Sequence, residues 1–258
     1  MIARPEPASV SVERLEYHYP DGVHALSGIK ISVGPGDRVA LIGPNGAGKS
    51  TLLLHLAGLL PERQRYQHRH ALTDVVHRHD AQPTVTIDGI VVSPKTLRRI
   101  RERVGIVFSD PHDQLIGLTV REEVEFGPRA RGWSDAEIAA AAAEALGAVG
   151  LAGFERRSPH HLSAGEKRRA CVAGVLACRP GLLLLDEPSS GLDPRGRREL
   201  GDLLAGLPAT QIIASHDLEF VARLCARVVI LDRGAVVADG ESSTVLSDKA
   251  LLRRHGLD

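Results

Sequence analysis

The stretch RVALIGPNGAGKSTLLLHLAGLL, residues 38 to 60, constrains the fold more than any other part of the chain. An apolar run with strand character, RVALI, passes directly into a loop of small residues, and an apolar helical run, TLLLHLAGLL, follows at once. Gly43, Pro44, Asn45, Gly46, Ala47, Gly48, Lys49 and Ser50 match the spacing GxxxxGK[ST], and Thr51 completes the segment. Small residues let successive backbone N–H groups curl around phosphate oxygens, and the helix that follows points its positive end at them. Lys49 is then placed to bridge β- and γ-phosphates, and Ser50 to hold magnesium. The strand before and the helix after distinguish this loop from a chance glycine-rich turn.

A strand, loop and helix of this kind require a parallel sheet, and the rest of the chain supplies one. Further strands are expected at 84 to 88, 104 to 108, 182 to 186, 210 to 215 and 227 to 232, with helical patterns between most of them. Two more, around Val10 to Tyr17 and over 24 to 33, precede the turn GPGD and form an N-terminal antiparallel β-subdomain. From about 115 to 178 the pattern is mainly helical, and Ser134 with Glu137 forms a capping box ahead of EIAAAAAEAL. The expected fold is α/β: one domain over 1–258, a parallel-sheet core around the phosphate loop, and an inserted helical subdomain.

The apolar run LLLLDEP delivers Asp186 and Glu187 at the C-terminal end of its strand, where open α/β sheets place their ligands. Asp186 there can join the magnesium shell, and Glu187 can polarise a water for in-line attack on the γ-phosphate. On its own such a pair reads equally as N-cap carboxylates for the next helix. Coupled to the phosphate loop, it points to phosphoryl transfer.

Charge and cysteine usage bound the alternatives. Thirty-two basic and thirty-two acidic side chains cancel, so no global field draws the chain to nucleic acid or to an anionic lipid surface. Cys171, Cys178 and Cys225 are odd in number and lie in apolar contexts, which reads as a reducing, cytosolic compartment. The longest aliphatic run is far short of a membrane span, so any membrane contact passes through a partner.

Three further pieces turn these motifs into a family resemblance: LSAGEKRR at 162 to 169, SSGLDP at 189 to 194, and His216 after the strand QIIAS. Together with the phosphate loop they resemble the ATP-binding cassette (ABC) ATPases, whose signature LSGGQ, D-loop and switch histidine come in this order. The resemblance covers nearly the whole chain and implies ATP and Mg2+ as ligands. It carries Ser163, Ala164, Gly165 and Glu166 over as the signature, with Ala164 and Glu166 departing from LSGGQ. Asp193 becomes the D-loop aspartate and His216 the γ-phosphate contact. In such ATPases the signature of one subunit closes over ATP held by the other, so a second ATPase subunit is implied, with a homodimer preferred. Tyr19 matches the aromatic that stacks on adenine, and Tyr17 is the fallback if the register shifts by one alternation.

VGIVFSDPHDQLIGLTVREEVEFGP at 104 to 128 is similar to the ATPase subunits of energy-coupling-factor transporters, especially those for cobalt and nickel uptake. That likeness implies a peripheral subunit on the cytoplasmic face of the cell membrane, paired with a transmembrane coupling protein and a membrane substrate-binding protein. A vitamin importer of the same type and a soluble, non-transport ABC ATPase are the alternatives. Ser109 stands where the family has the Q-loop glutamine. Serine is too short to reach magnesium and water except through a bridging water, and Asp110 and Gln114 are the candidate substitutes.

One stretch belongs to none of these motifs. Residues 62 to 83 form an insertion that contains QHRHALTDVVHRHD. Histidines two apart lie on one side of a strand, so a turn at ALTDVV could bring His68, His70, His77 and His79 together as a site for nickel, cobalt or zinc. The competing reading, which is preferred, is a solvated loop.

Overall fold

A computed structural model describes residues 6–61 and 84–257. In chain order it contains β1 (Val10–His18), β2 (His24–Val33), β3 (Arg38–Ile42), α1 (Lys49–Leu56), β4 (Thr84–Ile87), β5 (Ile90–Val91), α2 (Leu97–Arg103) and β6 (Val104–Val107). Then come α3 (Val120–Ala130), α4 (Asp135–Ala148), α5 (Ala164–Ala177), β7 (Leu182–Asp186), α6 (Pro194–Ala205), β8 (Thr210–Ala214), α7 (Leu218–Leu224), β9 (Arg227–Asp232), β10 (Ala235–Glu241), α8 (Ser242–Ser247) and α9 (Lys249–Arg254).

Among the described residues two sheets form. The larger has the order β10-β9-β3-β8-β7-β6, parallel throughout except for β10, which returns antiparallel on β9. The smaller, β2-β1-β4-β5, is antiparallel, as the period-two pattern of β1 and β2 demands. Both architectures agree with the expected α/β class. Strand β10 was not foreseen: Val236 is only partly buried and Val237 is exposed, as befits an edge strand, and the local signal is the Arg233-Gly234 turn, where both residues have positive φ.

The central strands read as unbroken apolar runs because each face of the large sheet meets its own layer. Val39, Leu41, Leu182, Leu184, Ile212 and Leu231 pack with α1 residues Leu52, Leu53 and Leu56 and with the small sheet. Ala40, Ile42, Leu183, Leu185, Ile213 and Ile230 pack on the other side with residues of α3 to α7. Strand alternation thus splits the core into two clusters. Burying each of these side chains is worth about 1.5–3 kcal/mol, which ties β3, β7 and β8 to their places between the two layers.

The helices α3, α4 and α5 fill the region expected to be helical. Thr119 caps α3, and Ser134 forms the anticipated capping box with Glu137. None of the described helices is long and apolar enough to cross a membrane.

Candidate functional site

Strand β3 ends at Ile42, and the chain turns through Gly43 to Gly48 into α1. Two glycines are there because other backbone comes too close for a side chain. A Cβ on Gly43 would lie 2.1 Å from the Leu231 carbonyl oxygen, and one on Gly48 would lie 2.6 Å from that of Ala25. Lys49, only 8% exposed, folds back over the loop and donates from Nζ to the carbonyls of Gly43 (2.7 Å) and Pro44 (3.0 Å). Burial pulls its ammonium below the usual lysine range, opposed by the nearby charges of Glu187 and Asp186.

Strand β8 pairs with β3 and β7 pairs with β8, all parallel, so the three strands end at the same edge of the sheet. Asp186, the last residue of β7, is 7% exposed, and its carboxylate is hydrogen-bonded to the Ser50 hydroxyl. Burial pushes its carboxyl above the usual range, and the Glu187 charge adds to this, against the Ser50 bond and the cations Lys49 and Arg168. An exposed hydroxyl beside a desolvated carboxylate that lacks a directly bonded cation fits a hard divalent ion with oxygen ligands.

Glu187 follows with φ +48°, a left-handed conformation that costs a non-glycine residue about 1–3 kcal/mol and is typical of functional sites. It turns the carboxylate towards the end of β8, where Oε2 lies 2.8 Å from His216 Nδ1 and 3.5 Å from Ser215 Oγ. The two residues expected to act on water and γ-phosphate are therefore in direct contact. His216 remains 69% exposed, so its ring is open to a ligand.

Tyr19 lies just beyond β1 and approaches the same helix. Its hydroxyl is 3.0 Å from Thr51 Oγ1, and its ring meets Tyr17 edge-on at 5.0 Å. Tyr17 in turn meets His55 at 4.6 Å, so the two tyrosines do not compete for one position: Tyr19 faces Thr51 and Tyr17 backs it. The imidazole of His55, at Nδ1, bonds the Thr51 carbonyl at 2.8 Å, while burial pulls its pKa below the usual value.

The signature segment sits elsewhere, at the N-terminus of α5. Ser163 and Glu166 form a reciprocal capping box: the Ser163 N–H donates to Glu166 Oε2 (2.7 Å) and the Glu166 N–H to Ser163 Oγ (3.3 Å). These bonds hold the Glu166 carboxyl below its usual range. Ser163 and Ala164 are exposed, and Gly165 lies against Leu192, where an added Cβ would be 3.4 Å from Cδ2. Asp193, exposed, caps α6 by accepting from the Gly196 N–H at 2.6 Å.

Ser109 is exposed just beyond β6. Of its suggested substitutes, Gln114 is committed to structure: Oε1 accepts from the Phe108 N–H (3.1 Å) and Nε2 donates to the Cys171 carbonyl (3.2 Å). Asp110 caps a short turn through the His112 N–H at 2.8 Å. The sequence reading also missed Arg168, a fully internal guanidinium inside the run EKRRA that carries no outward sign of burial. His68, His70, His77 and His79 lie outside the described residues. Among those that are described, no group of three or more histidine, cysteine or acidic side chains could hold a metal ion.

Comparison with known proteins gives this geometry a context. Residues 26–190 match the family described as ABC transporter. A putative ABC transporter ATP-binding protein of Streptomyces coelicolor is 48% identical over 252 residues, covering 98% of this chain and 90% of that protein. An energy-coupling factor transporter ATP-binding protein, EcfA, of Methanothermobacter thermautotrophicus is 43% identical, covering 96% and 76%. The solved structure of cbiO1 from Clostridium perfringens, part of the ABC transporter complex cbiONQ, superposes with a TM-score of 0.77 at 34% identity, covering 96% of this chain and 94% of that one.

Proposed function

From the premise that this chain belongs to the ABC transporter family, we propose that it powers uptake of cobalt or nickel ions as one half of an ATPase dimer on the cytoplasmic face of a membrane. It is an ATP-binding subunit of the energy-coupling-factor type, and it couples ATP hydrolysis to transport. The observation that carries the reading is the convergence of Lys49, Ser50, Asp186, Glu187 and His216 at one end of β3, β7 and β8.

On this reading each residue has a defined task. Lys49 exchanges the carbonyls of Gly43 and Pro44 for the β- and γ-phosphates, a stronger charge-assisted pairing. Ser50 and Asp186 would hold magnesium, which would neutralise charge on the phosphates. Glu187 accepts the proton of the attacking water at its carboxylate, and His216, 2.8 Å away, orients that carboxylate and contacts the γ-phosphate. Tyr19 offers its ring to adenine, steadied by Tyr17. Ser163, Ala164, Gly165, Glu166 and Asp193 serve the site of a second copy, for which the exposure of Ser163, Ala164 and Asp193 and the partial exposure of Gly165 and Glu166 suit them.

A surface for the membrane partner is available beside the Q-loop position. Ile116, Leu118 and Phe126 are 66%, 80% and 58% exposed. The loop that carries the first two is preformed: Glu123 accepts from the N–H groups of Ile116 and Gly117, both at 2.8 Å. Apolar side chains held outward at a cost in hydration mark an interaction surface. Cobalt or nickel as cargo is supported by the likeness of residues 104 to 128 to such uptake subunits and by the similarity to cbiO1.

The test is to isolate the complex from native membranes, identify the co-purifying membrane proteins, and measure ATP-dependent uptake of radiolabelled cobalt and nickel in reconstituted vesicles. Uptake of either ion that disappears with Glu187→Gln is the expected result. ATP-dependent uptake of a vitamin, with neither metal transported, overturns the choice of cargo.

A further inference from the structure

Arg168 lies on α5, whose first residues form the signature segment, and it is 3% exposed. Its Nη1 donates to the Phe108 carbonyl at 2.7 Å and its Nη2 to the Ser109 carbonyl at 2.6 Å, while Nε is buried without a partner. Among the described residues no carboxylate pairs with it directly. A buried cation with only two main-chain acceptors is an expensive arrangement, since desolvation alone costs several kcal/mol per ion. It is placed within the field of Asp110, Asp186 and Glu187, which supports its charge from a distance.

What the guanidinium grips is the start of the loop that leaves β6. A second link runs parallel to it, because Gln114 ties the Phe108 N–H to the Cys171 carbonyl, again on α5. The backbone of Phe108 is thus held at both its N–H and its carbonyl by side chains anchored on or against α5. The Ser109 side chain takes no part in these links, although its carbonyl does. The loop continues through a short turn at Pro111–Asp113 to the exposed Ile116 and Leu118.

We propose that Arg168 is the positioning residue that makes the 108–114 loop move with α5 when nucleotide is engaged, so that the response reaches the Ile116–Leu118 surface through main-chain carbonyls and without the side chain at position 109. This rests on the reading of the chain as an ATPase whose signature helix responds to ATP. Arg168 touches no reacting atom. A rigid helix that carries the loop by two forked, charge-assisted bonds transmits displacement with little slack, since a guanidinium fixes both direction and spacing. Serine at 109 is then tolerable, because the coupling element is one residue's backbone and not its side chain.

The test uses the full chain carrying Glu187→Gln, which retains bound ATP, and reads hydrogen exchange across peptides spanning 108–118 with and without Mg2+ and ATP. ATP is expected to change protection in this segment. With Arg168→Met added, that ATP-dependent difference should shrink by at least about five-fold. Arg168→Lys, which keeps the charge but not the fork, should show an intermediate loss, and Ser109→Ala should keep the full response. If Arg168→Met does not fold, the lysine variant decides. A full response in both Arg168 variants, or its loss in Ser109→Ala, overturns the proposal. ATP affinity is measured in parallel with a fluorescent nucleotide: failure of the Glu187→Gln protein itself to bind ATP overturns the underlying ATPase reading, whereas intact binding with an unaltered loop response sinks Arg168 alone.

Discussion

Replacing Asp186 with asparagine should make the nucleotide-free protein more stable and the nucleotide-bound protein less so. The Asp186 carboxylate is 7% exposed, lies beside Glu187, and has the Ser50 hydroxyl as its hydrogen-bond partner. Desolvating an ionised carboxylate costs several kcal/mol, and a hydrogen bond to a charged group returns about 1.5–3 kcal/mol. A deficit on the order of 1–2 kcal/mol therefore remains until a cation arrives. Asparagine has the same shape, keeps the contact with Ser50 and removes the charge. For a chain of this size each kcal/mol corresponds to about 2–4 °C in Tm, so Asp186→Asn should melt about 2–8 °C above the parent in chelator without nucleotide. With Mg2+ and a non-hydrolysable ATP analogue at a hundred times Kd the parent gains about 2.7 kcal/mol. The variant should gain little, and the order of the two melting temperatures reverses. The pH dependence has a definite sign. Because the folded-state pKa of Asp186 lies above its unfolded value, the parent loses stability as pH rises through the folded value, while the variant does not. Their difference therefore closes below the ordinary carboxylate range. Scanning calorimetry across pH reads all of this. A variant that melts below the parent without nucleotide, or that keeps the full ligand shift, refutes the idea that Asp186 is a charge waiting for a cation.

Three further outcomes are expected. Glu187→Gln should lower turnover by about 10²–10⁴-fold with ATP affinity kept, and should accumulate an ATP-bound dimer on size exclusion; near-parent turnover would remove Glu187 from the role of base. Ser163→Ala should cost about 1 kcal/mol of stability through loss of the cap on α5. Since the cap holds the Glu166 carboxyl below its usual range, that contribution is present above the ordinary carboxylate value and fades as pH falls through the folded one, which thermal melts at two pH values would show. Changing His68, His70, His77 and His79 to alanine should leave calorimetric nickel titrations unaltered if the insertion is a solvated loop; loss of a stoichiometric site in that variant would establish the metal-binding alternative instead.

Much of this was legible in the chain because local rules and the fold agree. The phosphate loop is readable from the spacing of Gly43, Gly48 and Lys49, since glycine is demanded wherever the carbonyls of Leu231 and Ala25 press in, even though those carbonyls come from distant strands. Ser134 and Ser163 announce their helices through a glutamate three residues on. What escaped reading depends on partners far apart in sequence. Arg168 stands between Lys167 and Arg169 in a run that looks like a solvated face, and only the approach of residues 108 and 109 gives it acceptors. Gln114 likewise looked available as a substitute for a missing amide until its two backbone bonds were seen. Strand β10 carries too little buried surface to leave an alternating pattern.

The division of β7 between two core layers has a consequence for its two acids. Residues 182 and 184 face α1, and residues 183 and 185 face the helical side. Asp186 inherits the first direction and so meets Ser50 at the start of α1, whereas Glu187 inherits the second and reaches His216 only because the backbone leaves the strand at that residue. The order of the two carboxylates is therefore a matter of parity. A chain with glutamate at 186 and aspartate at 187 would have the same composition, charge and hydropathy, yet it would crowd a longer side chain into the buried position and leave a shorter one to span the gap to the imidazole. Inserting or deleting a single residue in Leu182–Leu185 would exchange the two roles, while the run, leucine at every position, would still offer leucine to both layers.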